Sequence, residues 1–153
     1  MRRGSAVGKD SASMIKRILV GIDGSPKGDK AFSYALELAR SFDSELHCCG
    51  VVAGPDIEMA EAKDLELLVV RQRKRINDHM SRLAATVGPD GPVPVVHVLE
   101  GHPVEQLLAL AERHQVDHIV LGHRSKGMFE RLLMGSVAKR VVDFARCSVT
   151  VVR

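Results

Sequence analysis

Short apolar runs alternate along the chain with longer stretches in which apolar residues recur every three or four positions. The runs predict five buried β-strands, and the stretches predict four amphipathic helices between them. The first helix is expected to begin at Ser25-Pro26, because serine caps helix starts and proline fits the first helical turn. The predicted strands are 17–22, 46–52, 93–99, 118–121 and 149–152, and the apolar helix positions fall within 31–42, 65–87, 104–111 and 137–144.

The interleaved order of strands and helices predicts the architecture. Strands that are apolar throughout, separated by amphipathic helices, favour a parallel sheet covered by helices on both faces. Neither an internal repeat nor a second domain is visible in the sequence, so we expect one α/β domain over residues 15–153. Residues 1–14 are mostly small and polar, lack the apolar segment of a signal peptide, and are predicted to form a disordered leader.

Composition narrows the possible partners. The 153 residues are 45% hydrophobic and 27% charged, which is typical of a globular domain. The net charge of +3 is too small for a nucleic-acid-binding face. No apolar run approaches the roughly 20 residues of a membrane span, so we expect neither nucleic acid nor membrane as a partner. Three cysteines, two of them adjacent at Cys48-Cys49, argue against a disulfide framework and favour the reducing cytoplasm.

One glycine-rich segment indicates an anion site. Residues 122–125, Gly-His-Arg-Ser, leave a predicted strand, and Gly135-Ser136 follows after nine residues at the start of a predicted helix. Unpaired N–H groups at a helix start suit a phosphate, and glycine allows the backbone to approach it. Ser136 could cap the helix or turn its hydroxyl toward the ligand. In the alternative interpretation, these glycines only end a strand and begin a helix.

These residues together resemble the universal stress protein family. The family signature is Gly, two residues, Gly, nine residues, and Gly followed by Ser or Thr; here Ser125 stands where the second glycine is expected. Residues 18–25 resemble the family's first strand and acidic turn, and residues 131–137 its most recognisable run. Residues 147–153 resemble its closing strand, so the similarity extends over about residues 15–153.

The resemblance implies a Rossmann-like open sheet of five parallel strands in the order 3-2-1-4-5, similar to adenine nucleotide alpha hydrolases. It also implies a homodimer joined through the last strand and the binding of ATP or another adenine nucleotide. Asp23 would contact ribose or Mg²⁺, and Val51, with Val52 beside it, would contact adenine. The implied nucleotide-binding residues are Gly21, Ile22, Asp23, Val51, Val52, Leu121, Gly122, His123, Arg124, Ser125, Gly135, Ser136 and Val137.

Other polar features of the sequence have simpler interpretations. Asp23 could be a turn residue that hydrogen-bonds its own backbone, as Asp often does before Gly. The basic run at 71–75 is expected to be an exposed helix face, because no aromatic residues accompany it for base stacking. His114 and His118 are four residues apart, but His118 falls in the next predicted strand. The pair therefore lacks a shared helical face for a metal.

Signals for catalysis are weak, and we assign no catalytic residue. The sequence has no Gly-x-Ser-x-Gly elbow, no Walker A lysine and no dinucleotide fingerprint after its first strand. Asp23 could orient a metal, but no second carboxylate is obviously placed to activate water. We therefore expect a homodimeric, ATP-binding regulatory module of the stress response with an unknown protein partner. The alternatives are a slow nucleotide hydrolase and a dimeric scaffold that works without nucleotide.

Overall fold

The computed structural model describes residues 14–53, 62–123 and 134–153. Residues 1–13 of the predicted leader therefore lie outside the described residues, as do Arg124 and Ser125. Strands and helices alternate as expected. The elements are β1 (Arg17–Ile22), α1 (Pro26–Phe42), β2 (Glu45–Val52), α2 (Ala62–Ala85), β3 (Val95–Glu100), α3 (Pro103–Arg113), β4 (His118–Gly122), α4 (Ser136–Phe144) and β5 (Ser148–Val152).

The five strands form one parallel sheet in the order β3-β2-β1-β4-β5, which confirms the predicted fold class. β1 is central: Ile18 pairs with Leu46 of β2 on one side and with His118 of β4 on the other. Because all strands are parallel, their carboxyl ends meet at one edge of the sheet. The chain order reverses between β1 and β4, and ligands of open α/β sheets bind at such a switch point.

The two faces of the sheet carry separate cores. Successive side chains of a strand point to opposite faces, so Ile18 and Val20 pack in one cluster with α1 and α2, while Leu19 packs in the other with α3 and α4. Cys48 and Cys49 also fall in different clusters, because these adjacent side chains point to opposite faces of the sheet. Among the described segments, no helix is long and apolar enough to cross a membrane.

The start of α1 forms as its sequence predicts. Ser25 precedes the helix in an extended conformation, and its Oγ accepts a hydrogen bond from the N–H of Gly28 at 3.1 Å. Pro26 is the first helical residue, where its missing N–H is not needed. α1 ends at Phe42, and the next residue, Asp43, caps it with a left-handed backbone (φ of 54°) and an N–H that donates to the carbonyl of Ala39.

The structure differs from the predictions at several ends of elements. β3 begins at Val95 rather than Val93, which is 86% exposed; β3 is an edge strand, so less of its surface is covered. Val87 is buried as expected but follows the end of α2, where a turn leads to the left-handed Gly88. Phe144 is 64% exposed instead of packed in the core, because it ends α4.

Candidate functional site

A cavity of about 270 Å³ lies at the predicted switch point, beyond the carboxyl ends of β1, β2 and β4. Its wall is mostly aliphatic side chains and glycine backbone, and Asp23 is its charged side chain. The thiol of Cys49 faces the cavity in neutral form, since burial raises its pKa to about 12. The lining residues are Gly21, Ile22, Asp23, Gly28, Cys49, Val51, Pro103, Leu107, Leu121, Gly122, Gly135, Val137 and Ala138.

The first turns of three helices contribute to this cavity: Gly28 of α1, Pro103 of α3, and Val137 and Ala138 of α4. A helix start carries unpaired N–H groups and a partial positive charge. At α1 the Ser25 side chain already occupies one of these groups. Among the described residues no side chain caps α4, so within that part of the protein its first-turn N–H groups are left for an anion.

The polar positions at the start of α4 differ from the sequence expectation. Gly135, not Ser136, is the capping residue, and its φ of −59° and ψ of 150° are accessible to any residue. Ser136 is the first residue of the helix and is exposed. A left-handed backbone is therefore not the reason for glycine at this position, which is buried and lines the cavity.

Only one carboxylate oxygen of Asp23 accepts hydrogen bonds from the described residues. Its Oδ1 accepts hydrogen bonds from the N–H of Ser25 at 2.9 Å and from the Ser25 hydroxyl at 2.5 Å. Through this oxygen Asp23 acts as a turn residue, which is the simpler interpretation given in the sequence analysis. Its Oδ2 receives no hydrogen bond from the residues that the structure describes, and the side chain is exposed at the cavity.

Two glycines at the cavity are closely packed, one against backbone and one against the Asp23 side chain. A Cβ on Gly122 would lie 2.8 Å from the carbonyl carbon and oxygen of Lys27, which are backbone atoms at the start of α1. A Cβ on Gly28 would lie 2.9 Å from Oδ1 of Asp23. The glycine at the end of β4 thus has a structural reason that the sequence pattern alone did not reveal.

The predicted nucleotide-binding residues are only partly brought together. Val52 is buried on the opposite side of β2 from Val51, so its side chain does not reach the cavity. His123 and Ser136 do not line it either. Arg124 and Ser125 lie outside the described residues. The predicted residues that do line the cavity are Gly21, Ile22, Asp23, Val51, Leu121, Gly122, Gly135 and Val137.

His123 has a backbone role instead. Its N–H donates to the carbonyl of Val152 at 2.7 Å, and its carbonyl accepts from the N–H of Gly135 at 2.8 Å. These bonds hold the two described ends of the 123–135 segment together and attach them to β5. The position predicted as a ligand contact therefore fixes Gly135, which does line the cavity.

Five lining residues were not predicted from the sequence. Cys49 and Val51 are two positions apart on β2 and share a face, a relation that strand periodicity could have supplied. Pro103 and Leu107 belong to the helix start after Gly101-His102, one turn apart. Only tertiary packing brings the starts of α1, α3 and α4 to one cavity. The unpredicted residues are Gly28, Cys49, Pro103, Leu107 and Ala138.

A second cavity of about 320 Å³ adjoins the first and shares Ile22, Asp23 and Val51 with it. α2 supplies Arg75 and Arg82 to its wall. Elsewhere, basic side chains of this helix form surface ion pairs, as between Lys74 Nζ and Asp78 Oδ2 at 2.8 Å. Asp23 thus lies between an aliphatic cavity and a basic one.

The fold and the cavity define a Rossmann-like α/β protein with a ligand site at its switch point. Residues 14–153 match the universal stress protein family, and the chain belongs to that family. It is 29% identical over 146 residues to universal stress protein MJ0531 of Methanocaldococcus jannaschii, covering 95% of this chain and 86% of the relative.

Solved structures show the same fold. Universal stress protein UspA from Lactobacillus plantarum superposes with a TM-score of 0.84 at 28% identity, over 91% of this chain and 98% of that one. The universal stress protein from Archaeoglobus fulgidus in complex with dAMP superposes with a TM-score of 0.58 at 19% identity, over 92% and 99%. Because the second structure is only 19% identical, its similarity shows a shared fold and nothing more.

Proposed function

We propose that this protein binds an adenine nucleotide, ATP, in the cavity beside Asp23 and serves as a regulatory module of the stress response. The observation that carries the proposal is the convergence of three helix starts on one cavity at the switch point. A related fold has been solved with dAMP, which supports an adenine nucleotide as the ligand.

The two parts of a nucleotide match different parts of the cavity. The aliphatic wall, with Val51 and Leu107, suits a base and the apolar side of a ribose. The first turn of α4 offers uncapped N–H groups beside Gly135, which suit phosphate oxygens. We assign adenine to the Val51 side and the phosphates to the α4 side.

Asp23 fits one ligand position of Mg²⁺ or a ribose hydroxyl, because Oδ1 serves the turn while Oδ2 accepts no hydrogen bond from the described residues. Mg²⁺ in nucleotide sites is commonly held by one or two carboxylates together with phosphate oxygens and waters. Asp23 is the carboxylate that lines this cavity in the described chain. The ion would neutralise phosphate charge, and Asp23 would orient it.

Asp23→Asn tests the assignment with little change of shape. Asparagine keeps an oxygen to accept from Ser25, but it lacks the negative charge that strengthens the binding of Mg²⁺. We expect ATP affinity with Mg²⁺, measured by titration calorimetry, to fall about tenfold, or roughly 1.4 kcal/mol. Asp78→Asn, which removes an exposed carboxylate from α2, is the matched control and should bind as the parent does. Equal affinities for all three proteins would contradict the role of Asp23.

The proposed module is a homodimer joined through β5, which is one edge of the sheet. The outer side of an edge strand offers unpaired N–H and C=O groups to another copy. Three free thiols suit the reducing cytoplasm, where we place the protein. The nucleotide state would then be passed to a protein partner. Steady release of ADP by the purified protein would favour a slow hydrolase instead.

A further inference from the structure

Three histidines that are far apart in the sequence meet at the opposite end of the sheet from the cavity. His47 lies near the start of β2, His97 lies in β3, and His114 follows the last residue of α3. The ring centroids are 5.2 Å apart for His47 and His97, 4.8 Å for His47 and His114, and 5.1 Å for His97 and His114. One nitrogen of each ring lies within 4.8 Å of the other two.

The sheet register and the packing of α3 create this cluster. His97 pairs with Cys49, two residues after His47, so the two histidines lie on the same face of neighbouring strands. That face is the one that α3 covers. α3 runs back across the sheet from the cavity, where Pro103 begins it, and it ends at the histidines.

The donor atoms of His47 are arranged as in a ligating histidine. Its Nδ1 lies 2.9 Å from Nε2 of His97. Its Nε2 lies 3.2 Å from Oε1 of Glu45 but makes no aligned hydrogen bond to any residue that the structure describes. The side chain is only 2% exposed. Ligating histidines usually direct their second nitrogen to a carboxylate, which fixes the ring, and a small rotation of the half-exposed Glu45 would supply this bond.

We propose that His47, His97 and His114 form a binding site for a divalent transition metal, Zn²⁺. Imidazole nitrogens suit Zn²⁺, Ni²⁺ and Cu²⁺ and do not suit Mg²⁺. Zinc–nitrogen bonds of 2.0–2.1 Å in a tetrahedral site place ligand nitrogens about 3.3 Å apart. His47 and His97 need to separate slightly to reach this spacing, and His114 needs to move inward. His97 and His114 are partly exposed, so water can take the fourth position.

The charges around the cluster are mixed. Burial lowers the pKa of His47 and of His97. Glu45 adds a negative charge, although Arg17 lies 3.8 Å from its other oxygen and offsets part of it. Arg113 also opposes a cation near His97. A bound ion would link β2 and β3 to the end of α3.

Zinc binding by the full chain, purified without a polyhistidine tag and freed of metal, tests this site. Zn²⁺ alone is titrated in competition with a chromophoric chelator, and we expect one ion per chain. His114→Gln changes a partly exposed residue at a helix end, so it should fold and bind Zn²⁺ about a hundredfold more weakly. Glu45→Gln should lose about tenfold, the scale of an outer carboxylate. Wild-type affinity in His114→Gln would overturn the site.

His118→Gln is the matched control. His118 is also a partly buried histidine with a pKa lowered by burial, but its Nε2 bonds Thr150 Oγ1 at 2.8 Å, outside the cluster. This variant should bind Zn²⁺ as the parent does. Absence of one-to-one binding up to ~100 μM free Zn²⁺ would overturn the proposal, since such an affinity is weaker than a built site gives.

Cobalt identifies the donors independently of mutation. Co²⁺ at three nitrogens and a water should give visible bands of tetrahedral geometry without a thiolate charge-transfer band. A thiolate band would assign the ion to a cysteine and contradict the histidine site. Cys48 is an unsuitable ligand, because its side chain packs in the core on the opposite face of the sheet from the histidines. His97→Gln should abolish the visible bands, and their persistence would equally contradict the site.

Discussion

Gly122 lies where β4 meets the start of α1, and its missing side chain makes that contact possible. The backbone carbonyl of Lys27 lies 2.8 Å from the position of a Cβ, closer than real Cβ atoms come. Asp23, opposite, uses one oxygen for the turn and leaves the other at the cavity. At the scale of residues, structural and proposed binding roles are thus combined in the same few side chains.

Gly122→Ala should destabilise the fold, because the added methyl meets backbone that cannot move away. We expect a loss of about 1–3 kcal/mol in the free energy of unfolding, measured by urea denaturation. Gly21→Ala is the comparison: its Cβ would lie 2.6 Å from Cδ2 of Leu121, a side-chain tip that can rotate aside. The loss at Gly21 should be smaller. A larger loss at Gly21 than at Gly122 would refute the packing explanation.

At the scale of elements, the start of α1 shows how sequence, cap and site are connected. Ser25 caps the helix with its Oγ and also donates that hydroxyl to Asp23. The Ser-Pro pair was sufficient to predict this start, because capping is a local property. The start of β3 and the exposure of Phe144 were predicted wrongly. Apolar character alone does not reveal whether a residue at the end of an element is covered by neighbouring elements.

Ser25→Ala should cost about 1 kcal/mol of folding stability, the usual value of a lost N-terminal cap. The N–H of Gly28 would lose its acceptor, and Asp23 would lose one of its two donors. Ser41→Ala, in the last turns of the same helix, should change stability by less than about 0.5 kcal/mol because that serine is exposed. Equal urea midpoints for the two variants would show that the Ser25 cap contributes nothing.

At the scale of the whole molecule, the sheet order came from the family resemblance and not from periodicity, which predicts strands but not their neighbours. The fold then brings eight of the predicted site residues to one cavity. The histidine cluster could not be predicted in this way. It depends on the register of β2 against β3 and on where α3 ends, so only His114 and His118 stood out in the sequence.

The proposed dimer is also a property of the whole molecule. Light scattering at tens of micromolar, where a modest interface is occupied, should give twice the 16.7 kDa of one chain. Val151→Lys places a charge on β5 and should yield monomers. Val95→Lys, on the opposite edge strand β3, should remain dimeric. Thermal unfolding checks that both variants fold. Pairing through β5 would be contradicted if the unmodified protein is a monomer, or if Val95→Lys but not Val151→Lys disrupts the dimer.

The central claim is that ATP occupies the cavity between Asp23 and the start of α4. Titration calorimetry of ATP with the unmodified protein and with Gly135→Val tests it most directly. Valine can adopt the backbone angles of Gly135, but it would add three carbon atoms at a buried position of the cavity wall. Asp143→Val, at an exposed position of α4, is the control and should bind normally. Circular dichroism checks that Gly135→Val is folded. We predict that this variant binds ATP at least about a hundredfold more weakly than the unmodified protein, a loss of roughly 2.7 kcal/mol in binding free energy. Unchanged ATP affinity in the folded variant would contradict the account.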